Sequence, residues 1–125
     1  YWTDIDADGI FCANFDGTGL YQLDIPKEYT HAVGIALDLD NGKIYWTESI
    51  WRRILRADLD GSNVEVLVEG SASSEIRLDL KRNNMYWIDT RGRKIKRANL
   101  VLQRHMIMNY PEYNNATFRF ESPCF

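Results

Sequence analysis

The chain has 125 residues, 45% apolar and 13% aromatic, which allows one domain at most with ample material for a core. Its formal charge of −3 gives no footing for general nucleic-acid binding. Its longest apolar runs are a handful of residues, far short of the roughly 20 that a membrane-spanning helix needs. It opens on Tyr1 rather than Met and carries no signal-peptide pattern, which reads as a mature, processed or excised piece.

In chain order, residues 1–5 read as a strand, Asp6-Ala7-Asp8-Gly9 as a turn and residues 10–15 as a second strand. Asp16-Gly17 makes a turn and residues 20–25 a third strand, followed by a connecting loop over 26–31. Strands are then expected at 33–39, 43–48, 53–59 and 64–69, with turns at Asn41-Gly42 and Asp60-Gly61. A last set falls at 75–80, 85–89, 94–100 and 104–109. Asn-Gly and Asp-Gly between alternating segments are hairpin signals, because these residues tolerate the positive φ that tight turns require. Ile35, Leu37 and Leu39 share one strand face, and Leu55, Ala57 and Leu59 share another. No window sustains a helical period.

These elements repeat. Tyr1-Trp2-Thr3-Asp4, Tyr45-Trp46-Thr47-Glu48 and Tyr86-Trp87-Ile88-Asp89 begin at positions 1, 45 and 86. Ile35-Ala36-Leu37-Asp38 and Ile76-Arg77-Leu78-Asp79 stand at the same offset before their tetrads. Downstream, Ile10-Phe11-Cys12-Ala13, Ile54-Leu55-Arg56-Ala57 and Ile95-Lys96-Arg97-Ala98 align. Asp16-Gly17-Thr18 matches Asp60-Gly61-Ser62, whereas the third copy has Val101-Leu102 there. A period of about 40–45 residues built of short strands marks propeller blades. The fold class is therefore all-β.

On these residues the chain resembles the YWTD, or class B, repeats of the low-density lipoprotein receptor family. The resemblance covers residues 1 to about 109 and implies a β-propeller segment of four-stranded antiparallel blades. In that family the tetrad lies on the second strand of a blade. Blade 1 is then expected over 1–25 as strands two to four, blade 2 over 33–69 and blade 3 over 74–109. A tail over 110–125 would contain an inner strand at 116–121. The family closes six blades, and three are present here. The remainder is expected either in a longer chain or in a second copy. Residues 1–24 hold five Asp and no Lys or Arg, while residues 81–97 hold seven Lys or Arg against Asp89, so two copies would match in charge. The longer-chain reading ranks first.

The tetrad aromatics Tyr1, Trp2, Tyr45, Trp46, Tyr86 and Trp87 are expected to be structural wedges, each with a large apolar body and one polar tip. Ile88 in place of Thr costs the third tetrad a hydroxyl. Asp4, Asp6 and Asp8, in Asp-x-Asp-x-Asp-Gly, match the start of a calcium loop, with the Ile10 carbonyl as a further ligand. Phe15 stands where an EF-hand would need Glu, and a solvated acidic turn is the preferred reading, so no cofactor is expected. Cys12 and Cys124 permit one disulfide, within or between chains, or two free thiols. Asn115-Ala116-Thr117 is a glycosylation sequon, which with the resemblance favours an extracellular setting.

Loops between second and third strands, and those joining blades, fall on one propeller face. That face is expected to carry Tyr29, His31, Ile50, Trp51, Arg52 and Arg91 as candidate ligand contacts, since Trp and Arg are enriched at binding hot spots. The resemblance implies an extracellular protein or peptide partner there. The alternative for Trp51 is that it folds onto a neighbouring blade. The basic run 91–97 has the chemistry to meet heparan sulfate, but a solvated strand or a blade junction is the preferred reading. His31 and His105 lie off the motifs. No Ser-His-Asp, metal-ligand or phosphate-loop pattern is present, so a non-catalytic binding or matrix module is expected. The rival is a building block that self-associates through open blade edges.

Overall fold

The computed structural model describes residues 1–71 and 73–100. Three antiparallel sheets follow one another along the chain. Blade 1 contains β1 (Trp2–Asp4), β2 (Gly9–Cys12) and β3 (Tyr21–Gln22). A 3-10 turn at Lys27–Tyr29 leads into blade 2, with β4 (Ala32–Asp38), β5 (Lys43–Glu48), β6 (Arg53–Asp58) and β7 (Glu65–Glu69). Blade 3 contains β8 (Ser73–Asp79), β9 (Asn84–Asp89) and β10 (Lys94–Asn99), with a 3-10 turn at Leu80–Arg82. Each sheet is a meander, in the order β1-β2-β3, β4-β5-β6-β7 and β8-β9-β10. The described sheets do not close into a ring. The strand expected at 104–109, the tail over 110–125 with its inner strand, Asn115, His105 and Cys124 lie outside the described residues. Cys12 has no disulfide partner among those residues.

The tetrad strands occupy equivalent places, and cross-strand register carries the repeat. Trp2 faces Phe11, Trp46 faces Leu55 and Trp87 faces Lys96. Thr3 faces Ile10, Thr47 faces Ile54 and Ile88 faces Ile95. Successive side chains point to opposite sides of a strand, so Tyr45 and Trp46 enter different cores. Trp46 packs with Ile10, Leu23, Ile25, Ile44, Leu55 and Ala57 between blades 1 and 2. Tyr45 packs with Ile54, Leu67, Ile76, Met85, Trp87 and Ala98 between blades 2 and 3. Each blade therefore shows its Trp side to the blade before it and its Tyr side to the blade after.

The polar repeat residues fix turns and seams. Asp38 accepts from the Asn41 backbone N–H at 3.1 Å and from its side-chain amide at 2.8 Å. Asp79 accepts from the Arg82 N–H at 3.1 Å. Asp16 and Asp60 accept from the backbone and hydroxyl of Thr18 and Ser62, bracing turns in which Gly17 and Gly61 have φ of 82° and 92°. The Thr3 hydroxyl donates across the first seam to the Val33 carbonyl at 2.7 Å. Thr47 accepts from the Gly34 N–H at 3.0 Å. A Cβ on Gly34 would lie 2.8 Å from the Ser74 carbonyl oxygen, so backbones of blades 2 and 3 meet there at the closest distance that glycine permits.

Trp46 is fully buried. Trp46→Ala is expected to cost about 3–5 kcal/mol through lost burial and the cavity left behind. Chemical denaturation followed by circular dichroism measures this, and a loss below about 1 kcal/mol would contradict the packing described.

Candidate ligand-binding face

The loops after β1 and β5 and the connector before β4 meet at the rim of the first seam. Their centre is Arg53, the first residue of β6. Its Nε donates to Glu48 Oε2 at 2.7 Å, and Nη2 donates to the Glu28 carbonyl at 2.6 Å. The guanidinium carbon lies 5.0 Å from the Tyr29 ring centre and 5.9 Å from that of Trp51. The Tyr29 carbonyl in turn accepts from Trp46 Nε1 at 3.0 Å, tying the connector to the core. Beside this group His31 Nδ1 is 2.8 Å from Asp8 Oδ1.

Trp51 is 58% exposed and Ile50 65% exposed. Trp51 does not fold onto a neighbouring blade; it stands beside Arg53 with most of its ring in solvent. Arg52 sits elsewhere than its neighbours suggest. With φ of 57°, it turns to donate from Nη2 to the Gly70 carbonyl at 2.7 Å, while its own carbonyl accepts from the Ser71 N–H. Arg52 thus fixes the loop, and Arg53, which the sequence reading passed over, supplies the cation of the platform. Arg91 is exposed on the equivalent loop of blade 3, and no contact joins it to the platform.

The acidic triplet does not converge. Among the described residues no three His, Cys, Asp or Glu are grouped to hold a metal. Asp4 accepts from the Ala7 N–H at 2.9 Å as a turn cap, Asp8 turns to His31, and Asp6 is exposed. Asp4 is engaged by its own loop, and the three carboxylates of the sequence pattern are not gathered around one point. Asp89 is engaged likewise, accepting from the Gly92 N–H at 3.0 Å and pairing with Lys96 at 2.6 Å. That pairing draws Lys96 out of the basic run, and Lys94 and Arg97 also have partners.

Glu48 departs from this pattern. It is fully buried, and its Oε1 has no hydrogen-bond partner. Burial pushes its carboxyl above the usual carboxylate range, with Asp8 adding to the rise, while Arg53 and then His31 pull it down. On the other side of the same seam, burial and the neighbouring Cys12 and Tyr21 push the Tyr1 hydroxyl up to about 12.

This arrangement defines a propeller segment with a braced aromatic–cation platform on its loop face. The family model for low-density lipoprotein receptor repeat class B matches residues 42–71. A chain from a crystal structure of a nidogen/laminin complex superposes with a TM-score of 0.70 at 33% identity, over 81% of this chain and 40% of that one. Protein cueball of Drosophila erecta is 32% identical over 75 residues, and that of Drosophila yakuba 35% over 72. Those matches span 57% and 54% of this chain but 12% and 11% of the cueball proteins. Residues 42–71 thus match a class B repeat of the low-density lipoprotein receptor, and the chain shares the fold of a YWTD propeller segment.

The raised Glu48 carboxyl sets a pH dependence. The folded chain holds this proton more tightly than the unfolded chain. Its contribution to stability is therefore present below the ordinary Glu range and is lost as pH rises through the raised value. Wild type is expected to lose stability relative to Glu48→Gln across that window in denaturation curves. A constant difference between the two would contradict the assignment. Arg53→Ala removes the largest opposing influence and leaves a buried carboxylate unpaired, so it should cost about 3–5 kcal/mol at neutral pH.

Proposed function

We infer that the chain is a non-catalytic, extracellular protein-binding module whose ligand face centres on Trp51, Ile50 and Tyr29 around Arg53. The observation that carries this reading is the exposed Trp51 beside the Arg53 guanidinium. A large aromatic at a loop apex that the fold leaves in solvent, with its cation already held by Glu48 and the Glu28 carbonyl, meets the requirements of a binding anchor. Little side-chain freedom remains to be lost on binding, and preorganisation of this kind raises affinity. His31 and Asp8 extend the face on one side, and Arg91 belongs to its outer part.

The setting is supported by the family, whose repeats build receptor and matrix propellers, and by the similarity to the chain from the nidogen/laminin complex. The partner is read as a folded protein or peptide that offers an apolar or aromatic side chain to Trp51 and an acceptor to the exposed edge of the platform. Laminin is the first probe, followed by a panel of secreted and matrix proteins.

Trp51→Ala is expected to weaken partner binding by at least about tenfold, equivalent to 1.4 kcal/mol, with the denaturation midpoint unchanged. Titration calorimetry or surface plasmon resonance reads the affinity. A partner bound equally well by wild type, Trp51→Ala and Tyr29→Ala would place binding elsewhere on the chain.

A further inference from the structure

The two rings that flank Arg53 are held by different cores. Tyr29 lies in the connector that enters blade 2, and the tetrad indole of that blade donates to its carbonyl, from Trp46 Nε1 at 3.0 Å. Trp51 lies in the loop after β5, and its hold comes from blade 3. Trp87 Nε1 donates to Ser71 Oγ at 2.8 Å, and the Ser71 N–H donates to the Arg52 carbonyl at 3.0 Å. Arg52 Nη2 returns to the Gly70 carbonyl at 2.7 Å. Trp87 and Ser71 are both buried. Each of these indoles thus grips the connector that enters its own blade. Trp46 belongs to the core between blades 1 and 2, and Trp87 to the core between blades 2 and 3. We propose that Trp87, acting through Ser71, is a positioning residue for the ligand face: the buried indole N–H of blade 3 fixes the connector at Gly70 and Ser71, and that connector fixes the loop that presents Trp51.

Backbone geometry supports the assignment. The residue before the cross-strand partner of the tetrad acid is left-handed in both blades: Asp8 before Gly9 has φ of 52°, and Arg52 before Arg53 has φ of 57°. That conformation is unfavourable for a residue with a Cβ and persists where the surroundings hold it. Asp8 reaches the connector before β4, with Oδ1 2.8 Å from His31 Nδ1, and Arg52 reaches the connector before β8. At both seams the loop extends to the next connector, and the next tetrad indole holds that connector. The platform around Arg53 therefore takes the placement of Tyr29 from one core and that of Trp51 from the other. The two links differ in kind. Trp46 bonds a backbone carbonyl, which is present whatever residue stands at position 29. Trp87 bonds a side-chain hydroxyl, so the second link depends on Ser71 itself. Losing that hydroxyl would leave a buried N–H without its acceptor. A loop fixed in this way keeps little freedom to lose on binding. That consequence rests on the ligand-face reading, whereas the coupling of indole, connector and loop does not.

The experiment is hydrogen exchange of the full 125-residue chain, followed residue by residue by NMR, in Ser71→Ala, Trp87→Phe and the double variant. Phe keeps an aromatic ring in the core and removes the N–H. The amide of residue 71 reports its bond to the Arg52 carbonyl directly. Its protection is expected to fall at least tenfold in each single variant and no further in the double variant, because residues that act through one bond are not additive. Protection at Tyr29 and Ala32, whose amides bond to Pro26 and Thr30, should stay unchanged, and Trp46→Phe should reverse the pattern. Ser71→Ala removes a single oxygen and carries the test where Trp87→Phe fails to fold. Wild-type protection at residue 71 in Ser71→Ala overturns the proposal. So does an equal loss at every amide, which would mark both residues as general supports of the fold, and so does a double variant in which the two losses multiply. For a partner that Trp51→Ala weakens, Ser71→Ala should weaken binding at least threefold, and unchanged affinity there would overturn the positioning role. A partner indifferent to Trp51→Ala would end the ligand-face reading and leave the exchange result standing, so the two fail separately.

Discussion

The structure depends on one constraint: in the tetrad strand, neighbouring side chains must leave on opposite sides. Tyr45 and Trp46 are adjacent in sequence, yet they belong to separate hydrophobic cores. A single dipeptide therefore fastens a blade to both neighbours at once. The sheets stack as a series of seams rather than around one centre. Stability of such an arrangement is a sum of blade terms and nearest-neighbour seam terms, as in other repeat proteins. Small residues then set how closely the layers approach, and Gly34 marks the tightest point, with the Ser74 carbonyl where a methyl group would stand.

The polar part of the repeat has a different task. Asp4 and Asp89 close the tetrad and receive a backbone N–H three residues later. The extra methylene of Glu48 carries its carboxylate past that hydrogen bond to Arg53, one strand over. This exchanges a local cap for a cross-strand ion pair inside the seam. The Arg53 guanidinium then lies near two aromatic rings, and cation–π contacts add about 0.5–1 kcal/mol at exposed positions. A conservative-looking change from Asp to Glu is thus the origin of the platform on the loop face.

Much of this was legible in the sequence. The tetrads, their upstream Leu-Asp and the downstream Ile-x-x-Ala lie in register, so the strands of blade 2 fall within one residue of the expected limits. The roles of Asp38 and Asp79 follow from short-range turn chemistry, which sequence carries well. The platform was half legible. Trp51 and Tyr29 stood out as aromatics on loops, but Arg53 sits inside a strand motif and was read as part of it. Its role depends on the Glu48–Arg53 cross-strand pair. The available signal was a Glu where the other copies have Asp, followed five residues later by Arg. Arg52 was the opposite case: a loop position suggested a ligand contact, and its positive φ turned the side chain back to the Gly70 carbonyl. The acidic triplet, read first as an acidic turn, does contain a turn, and Asp4 caps it.

The release of Glu48 from the capping role bears on what this scaffold can tolerate. In blades 1 and 3 the acid grips the turn backbone three residues on, which fixes the number of residues that can lie between the second and third strands. In blade 2 the strand ends are clamped to each other by Glu48 and Arg53, and the only hold described on the loop between them is at its last residue, Arg52. Residues 49–51 can therefore lengthen, shorten or be replaced while Arg52 stays tied to Gly70 and Ser71 and the sheet beneath keeps its register. Sequence change at the tip of this blade meets less resistance than at its neighbours, and this is the place where new recognition loops could be grafted onto the frame.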